Sequence, residues 1–371
     1  MVTISQWKFS IKGAKYVSQR KPVITKNTVL ATFNYGRGIN MRGTVVALDV
    51  ANGREIWRFN SEHILNEPIV RDRYLGSPLR DCFIYLTCFD GKVYKLNRDG
   101  EVVWQIQPSH CNVWQPLLVN DLLVYAEIAG RAKNTWAVNI LDGSIQWQYE
   151  HGGHAYALAS DAEHIVYSTV RGSFDSKEIV LQCLDSQTGK PIWKTFSQQY
   201  LFRPIIIGGI IYIGSRGYVA AFCLKTGRLL AQYHLKESVA VTIPPLVTDD
   251  GIIFCTEAGQ IFSLQATQAD SKFLLSLNWQ IFLDSDVNAN LLKQDDKLLV
   301  ISEKGELIKI DFKKGQISQK QKLSGFKQGF GMAICDRETR CWHDRANGSP
   351  LRDRDLIIAV SRDCVKLQAE I

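Results

Sequence analysis

The stretch CLDSQTGKPIW, residues 183–193, sets an aspartate, a Thr-Gly pair and a tryptophan at fixed offsets within eleven residues. Nearly the same wording occurs at residues 47–57, ALDVANGREIW, where Asn52 stands in for Thr188 while Gly53 and Trp57 keep their places. Shorter copies follow: DGEVVW ending at Trp104, DGSIQW at Trp147 and TGRLLA at Ala231. The turn glycines are Gly53, Gly100, Gly143, Gly189, Gly227 and Gly315, spaced by 47, 43, 46, 38 and 88 residues. The last spacing is twice 44, so one unit lacks its glycine, and Trp279 marks that unit. Self-similarity with a period of about 40–50 residues is the mark of a solenoid or a propeller, and strand content decides between them.

Each period resolves into four short apolar runs. Residues 204–233, PIIIGGIIYIGSRGYVAAFCLKTGRLLAQY, are broken by Gly-Gly, Arg-Gly and Thr-Gly, which read as hairpin turns. The second run is apolar almost throughout, as at 83–86, 252–254, 298–301 and 356–360, so it must be covered on both faces. Radially stacked four-stranded sheets provide that cover. In this reading the Thr-Gly pair closes the third-to-fourth strand turn and Asp185 accepts turn N–H groups. Trp193 then lies on the outermost strand, where its ring covers the seam to the next blade.

Seven such turns are visible, the sixth near Asp270 and Ser271. After Gly315 come a fourth strand and three further runs, at 332–335, 356–360 and 364–367, and the chain stops short of one more. The N-terminal ISQWKFSI, with Trp7, has the pattern of that outer strand. The expectation is therefore one all-β domain over 1–371: an eight-bladed propeller of four-stranded antiparallel blades, with 1–12 completing the last blade. Seven blades is the alternative if the C-terminal segment is irregular. Trp7, Trp57, Trp104, Trp147, Trp193 and Trp279, with Gly53 and Gly189, are the structural motif residues.

Composition agrees with one large unit: 46% of residues are hydrophobic, and no linker or low-complexity block interrupts the repeat. The net charge of +7 is spread widely and argues against nucleic acid, although residues 304–327 hold seven lysines against Glu306 and Asp311. No segment reaches membrane-span length and no apolar secretion core begins the chain, which predicts a cytoplasmic protein, or a periplasmic one if the N-terminus is processed. The nine cysteines include no C-x-x-C pair. Cys183 and Cys223 are assigned to the slot of Ala47, while Cys88 and Cys255 precede third-strand turns, and all four read as small packing residues. Cys335, Cys341 and His343 match no standard metal spacing, so no metal is expected there.

The pattern A-x-D-x-x-x-G-x-x-x-W resembles the tryptophan-docking motif of the quinoprotein-type, PQQ-like repeat β-propellers. Residues 47–57 and 183–193 carry it best, with weaker copies ending at Trp104, Trp147, Ala231, Trp279 and Gln319. The family's dehydrogenases stack their quinone against a disulfide of adjacent cysteines beside a calcium ion. This chain has no adjacent cysteine pair. The resemblance therefore implies no cofactor and points toward noncatalytic members such as the outer-membrane assembly propeller lipoprotein, although no lipobox cysteine follows the N-terminus.

A binding site would lie where residues just before each first strand ring one mouth of the channel. Aligned on Pro22, Pro68, Pro116 and Pro204, the ring holds Lys21, Glu67, Gln115 and Arg203, with Trp114 and Phe202 one position earlier. His154 and Asn288 are assigned comparable places. Such a funnel suits a protein partner's loop or a small polar ligand. The alternative is an enzyme using His154, Glu67 and Arg203 as acid-base and anion-holding groups. The bland reading of the ring is mutual hydrogen bonding around channel water. His151 and His154, in HGGH, lack a helix to fix them as ligands and read as a hydrated loop. The hexapeptide GSPLRD occurs at 76–81 and 348–353, between first and second strands, leaving Arg73, Arg80, Arg352 and Arg354 as surface candidates on the opposite mouth. The chain is expected to act as a monomer or as a subunit of a larger complex.

Overall fold

The computed structural model describes residues 7–11, 22–25, 28–36, 40–72, 82–110, 113, 116–128, 133–172, 177–269 and 272–323. It also describes the backbone of 329–335, 356–361 and 364–368. Blade 1 comprises strands Val23–Thr25, Thr28–Tyr35, Arg42–Asp49 and Glu55–Ser61. Blade 2 comprises Ile69–Asp72, Cys82–Thr87, Val93–Leu96 and Val102–Ile106, and blade 3 Leu117–Val119, Leu122–Ala126, Asn134–Asn139 and Ile145–Glu150. Blade 4 has two short pieces, His154–Ala155 and Ala159–Ser160, both paired with His164–Gly172, and then Lys177–Asp185 and Pro191–Ser197. Blade 5 follows with Ile205–Ile207, Ile210–Gly214, Tyr218–Cys223 and Leu229–His234. Blade 6 holds Leu246–Thr248, Gly251–Cys255, Gln260–Ala269 and Lys272–Phe282, and blade 7 Leu292–Gln294, Lys297–Ile301, Glu306–Asp311 and Gln316–Lys322.

A closing sheet pairs Gly329–Cys335, Leu356–Ser361 and Cys364–Gln368 with the N-terminal Lys8–Ser10, in register Lys8 to Lys366 and Ser10 to Cys364. The expectation of eight four-stranded blades is thereby corrected in favour of the alternative of seven. Seven blades are chain-contiguous repeats, one of them has five strands, and the remaining sheet is a composite of both chain ends. The cause in blade 4 is an extra pairing, His154 to Val170, made before the first strand proper begins. Both copies of GSPLRD, and the turn at Asp270 and Ser271, lie outside the described residues.

Second and third strands are buried through their central residues, as at 29–34 and 179–184. Alternate side chains enter opposite seams: Val29, Ala31 and Phe33 pack with Trp7, while Leu30, Val45 and Ala47 pack with Leu65, Ile84 and Leu96 of blade 2. The core is thus divided among the seams, each with its own apolar cluster.

The strand registers explain the opening motif residue by residue. Ala47 faces Trp57, Ala137 faces Trp147 and Cys183 faces Trp193 across the third and fourth strands, and a register shift follows each pair at once. The same shift follows Lys95 opposite Trp104, Ala221 opposite Ala231, Ser263 opposite Trp279 and Lys309 opposite Gln319. This β-bulge turns the fourth-strand side chain toward the neighbouring blade. There the ring lies flat on the next turn's glycine: Trp7 on Gly53, Trp57 on Gly100, Trp104 on Gly143, Trp147 on Gly189, Trp193 on Gly227 and Trp279 on Gly315. The indole N–H then donates to a carbonyl of that turn, Val50 from Trp7 at 2.8 Å, Ser186 from Trp147 at 3.1 Å and Phe312 from Trp279 at 2.7 Å. Asp185 Oδ1 holds the turn by accepting from Gln187 N, Thr188 N and Thr188 Oγ1 at 3.1, 2.8 and 2.7 Å.

Cys223 was assigned to the slot of Ala47, and the register corrects this. Ala221 faces Ala231, and Cys223 lies four residues before Gly227, where the other turns carry Asp49, Asp185 or Asp311. Its half-exposed thiol is held below the usual cysteine range by the Thr226 hydroxyl, helped by the turn amides of Thr226 and Lys225 and by Arg228. Burial pushes Cys88 up to about 11 and Cys183 to about 12, and Cys255 also rises.

Two tests follow from the turns. An alanine at Gly189 combines positive φ of 68° with a Cβ 2.4 Å from the Trp147 ring, whereas Gly208, at φ 55°, has open space around the same atom. Gly189→Ala should therefore cost about 2–4 kcal/mol in urea denaturation and Gly208→Ala about 1 kcal/mol. Equal losses would remove the stacking argument. In a brief iodoacetamide pulse near neutral pH, Cys223 should be alkylated before Cys88, Cys183 and Cys255, and Thr226→Ala should slow it. Uniform labelling of the folded chain would contradict the assignment.

Candidate functional site

The connections from each outer strand to the next first strand line one mouth of the channel, and hydrogen bonds lace them from blade to blade. Asn34 of blade 1 donates to the Leu65 carbonyl at 3.1 Å and accepts from Leu65 N at 3.0 Å. Asn66 Nδ2 donates to Thr87 Oγ1 and to the Val113 carbonyl of the next connection, both at 2.8 Å. Ser168 Oγ of blade 4 donates to the Leu201 carbonyl at 2.5 Å, and Ser215 Oγ to that of Tyr200 at 2.7 Å. The backbones leading to Glu67 and to Arg203 are thus both held by neighbouring strands.

Of the sequence candidates, Lys21, Trp114 and Gln115 lie outside the described residues. Glu67 is buried, 6% exposed, and its charge acts on Arg203, three blades away around the ring. Both stand two residues before the first strand of their blades, in connections at the same mouth. Arg203 keeps part of its surface open to solvent while protein encloses it, and this burial lowers its pKa against the opposing pull of Glu67. Phe202 is half-buried, with its backbone N bonded to the Gly214 carbonyl at 2.9 Å. Asn288 is half-buried and engaged through Nδ2 with Glu303 Oε1 in its own blade.

His154 is not in the ring. It is exposed, on the extra first piece of blade 4, with Nδ1 against the Ile128 carbonyl. Strand register assigns the Phe202 position instead to Tyr156, whose N bonds to the Ser168 carbonyl at 2.9 Å, and the Arg203 position to Ala157. Tyr156 meets Phe202 at 6.1 Å and Tyr200 at 6.2 Å, both edge to face. The sequence signal for Tyr156 was weak, because Leu158 replaces the proline that marks the other connections. Glu127, fully buried, was also missed; it accepts from Trp136 Nε1 at 2.9 Å and Asn134 N at 2.8 Å.

The HGGH segment does not bring its histidines together. His151 is fully buried, edge-on to Tyr167 at 5.8 Å, and neither ring nitrogen makes a well-formed hydrogen bond among the described residues. Burial, reinforced by the positive charges of Arg171 and Lys133, depresses its pKa from 6.5 to about 4. The hydrated-loop reading is thereby corrected for His151, which is sealed behind Arg171. Its titration has a definite sign. The unfolded chain takes up the proton near pH 6.5 and the native chain only near pH 4, so stability falls as pH drops across that window. In urea denaturation, His151→Phe should lose about 2–3 kcal/mol less than the native chain between pH 7 and pH 4.5. Parallel losses in the two proteins would refute the assignment.

With the geometry described, relatives can be compared. The sequence profile of the family described as outer membrane protein assembly factor BamB matches residues 41–200 and 176–321. No curated protein sequence matches the chain. Among solved structures, BamB from Moraxella catarrhalis superposes with a TM-score of 0.64 at 15% identity, covering 99% of this chain and 100% of that one. Chaetomium thermophilum Sqt1 bound to the N-terminus of the ribosomal protein L10 gives 0.69 at 12% identity, covering 95% of each chain. A europium-containing methanol dehydrogenase gives 0.67 at 13% identity, covering 96% of this chain and 84% of that one. Identities this low establish the fold alone. The profile match extends over most of the chain, which therefore belongs to the β-propeller family described as outer membrane protein assembly factor BamB.

Proposed function

We propose that the chain is a binding propeller that seats a loop or extended segment of a protein partner at the laced mouth. One observation carries the reading. The ring side chains Asn66, Glu67, Tyr156, Phe202 and Arg203 differ in chemistry from blade to blade, yet the connections that carry them are held to neighbouring strands by side-chain to backbone bonds at Leu65, Tyr200 and Leu201 and by the backbone bond of Tyr156. A pre-organised concave rim of this kind loses little conformational entropy when it is occupied. The acid-base alternative is weakened, since His154 is engaged through Nδ1 with the Ile128 carbonyl, and the histidine with a shifted pKa is sealed in a seam. The absence of an adjacent cysteine pair from the sequence removes the disulfide stacking platform that the quinone enzymes use. Two relatives support a protein partner by their descriptions, an assembly factor and a propeller bound to a ribosomal protein N-terminus.

The reading is tested with a photo-crosslinking amino acid placed at Tyr156 or Phe202 at the mouth, and at Ile192 or Thr226 away from it. Illumination in cells should yield a discrete protein adduct from the mouth positions alone. Adducts only from the outer strand or the opposite turns would move the interface elsewhere, and none from any position would overturn the reading.

A further inference from the structure

The mouth is chemically lopsided. Blades 4 and 5 present an aromatic group in which Tyr156 meets both Tyr200 and Phe202 edge to face. Cations frame it. Lys177 Nζ stands 5.0 Å above the Tyr200 ring, and Arg171 lies against Gly152 with its guanidinium bonded to the His151 carbonyl. Arg203 follows Phe202 directly in the chain. Its guanidinium, though enclosed, forms no hydrogen bond or ion pair with any described residue. Five N–H donors in a fixed fork, held in a recess that is only partly wetted, are the complement of a carboxylate.

Building on the protein-binding reading above, we propose that this rim of blades 4 and 5 docks an acidic segment of the partner, with one carboxylate taken in fork geometry by Arg203 and the adjoining side chain laid on Tyr156 and Phe202. Charge complementarity selects the class of partner. A nucleic acid could stack on the aromatic group, but its continuous phosphates would meet Glu67 at the channel, whereas a peptide places separate carboxylates where the arginines stand.

The proposal is tested on the full chain by fluorescence polarisation with three labelled probes of equal length: a peptide alternating glutamate and tyrosine, the same peptide with lysine for glutamate, and an oligouridine. The glutamate peptide should bind, more weakly as salt rises, and the other two should not. Arg203→Gln should weaken binding about tenfold or more, Arg203→Lys should restore little of it because the fork is lost, and Tyr156→Ala should weaken it several-fold. Arg98→Gln, on a turn at the opposite mouth, should leave it unchanged. Thermal melts identify a misfolded variant, and Arg203→Lys, which keeps the charge, still decides the question if Arg203→Gln does not fold. Unaltered affinity in both Arg203 variants, or preference for the oligouridine, would overturn the proposal. Mouth-specific protein adducts in the crosslinking experiment together with that outcome would leave the binding role standing and remove only its acidic specificity.

Discussion

A tryptophan lying flat on the neighbouring blade's turn glycine is the contact on which this ring depends. Each blade alone is a small twisted sheet with two apolar faces, and only its neighbours can cover them. The indole does two things at once across the seam. Its face covers backbone that a side chain would have kept away, and its N–H satisfies a turn carbonyl that the hairpin leaves open. The bulge after the small residue facing the tryptophan aims the ring. Without that one-residue offset the side chain would point into its own sheet's flank. Because Trp7 docks on Gly53 in the same way, the joint that closes the circle uses the same contact as the joints within it.

The seams that depart from the pattern show how it can be replaced. Between blades 5 and 6 the tryptophan is Ala231, and the receiving turn has no glycine in register. Instead the last two strands of blade 6 lengthen to ten and eleven residues. Their extra length brings Ala266, Phe273 and Leu275 onto Leu230, Tyr233 and Leu235 of blade 5. One apolar hairpin thus does the covering of a lost ring, and the two sequence gaps, 231 and the missing turn glycine, are a single event. At blades 2 and 3 a smaller exchange occurs. The Tyr85 hydroxyl reaches the Ile140 carbonyl, and the Trp104 N–H has no hydrogen-bond partner among the described residues while its ring stays over Gly143.

Most of this architecture was legible in the sequence because glycine at positive φ and tryptophan are scarce residues whose spacing survives any change in the strands between them. Turns, blade order and the pairing of Lys8–Ser10 with the C-terminal strand follow from that spacing. The bulge was not legible, since its extra residue, such as Ile56 or Ile192, is an ordinary exposed side chain. Cys223 was misplaced by two positions for a related reason: the segment before Gly227 was aligned on residue size, when the turn requires an acceptor at that distance. The site was harder still. Proline marked the connections of blades 2 and 5, so Glu67 and Arg203 were found, but blade 4 begins with an extra pairing that displaced the alignment from Tyr156 to His154. Burial of His151 and Glu127 depends on contacts between strands far apart in the chain, which no local pattern encodes.

Closure has a consequence for the mouth. In an open array each connection can shift with its blade, and a side chain such as Arg203 would relax toward the nearest carboxylate. In the ring the two connections are held in place, that of Glu67 by Asn34 and Asn66 and that of Arg203 by Ser168 and Ser215. Glu67 and Arg203 are therefore kept three blades apart, close enough for their charges to act on one another across the channel. The fork of Arg203 remains open because the rigid rim denies it a partner. Its readiness to receive one is a property of the seams as much as of the arginine.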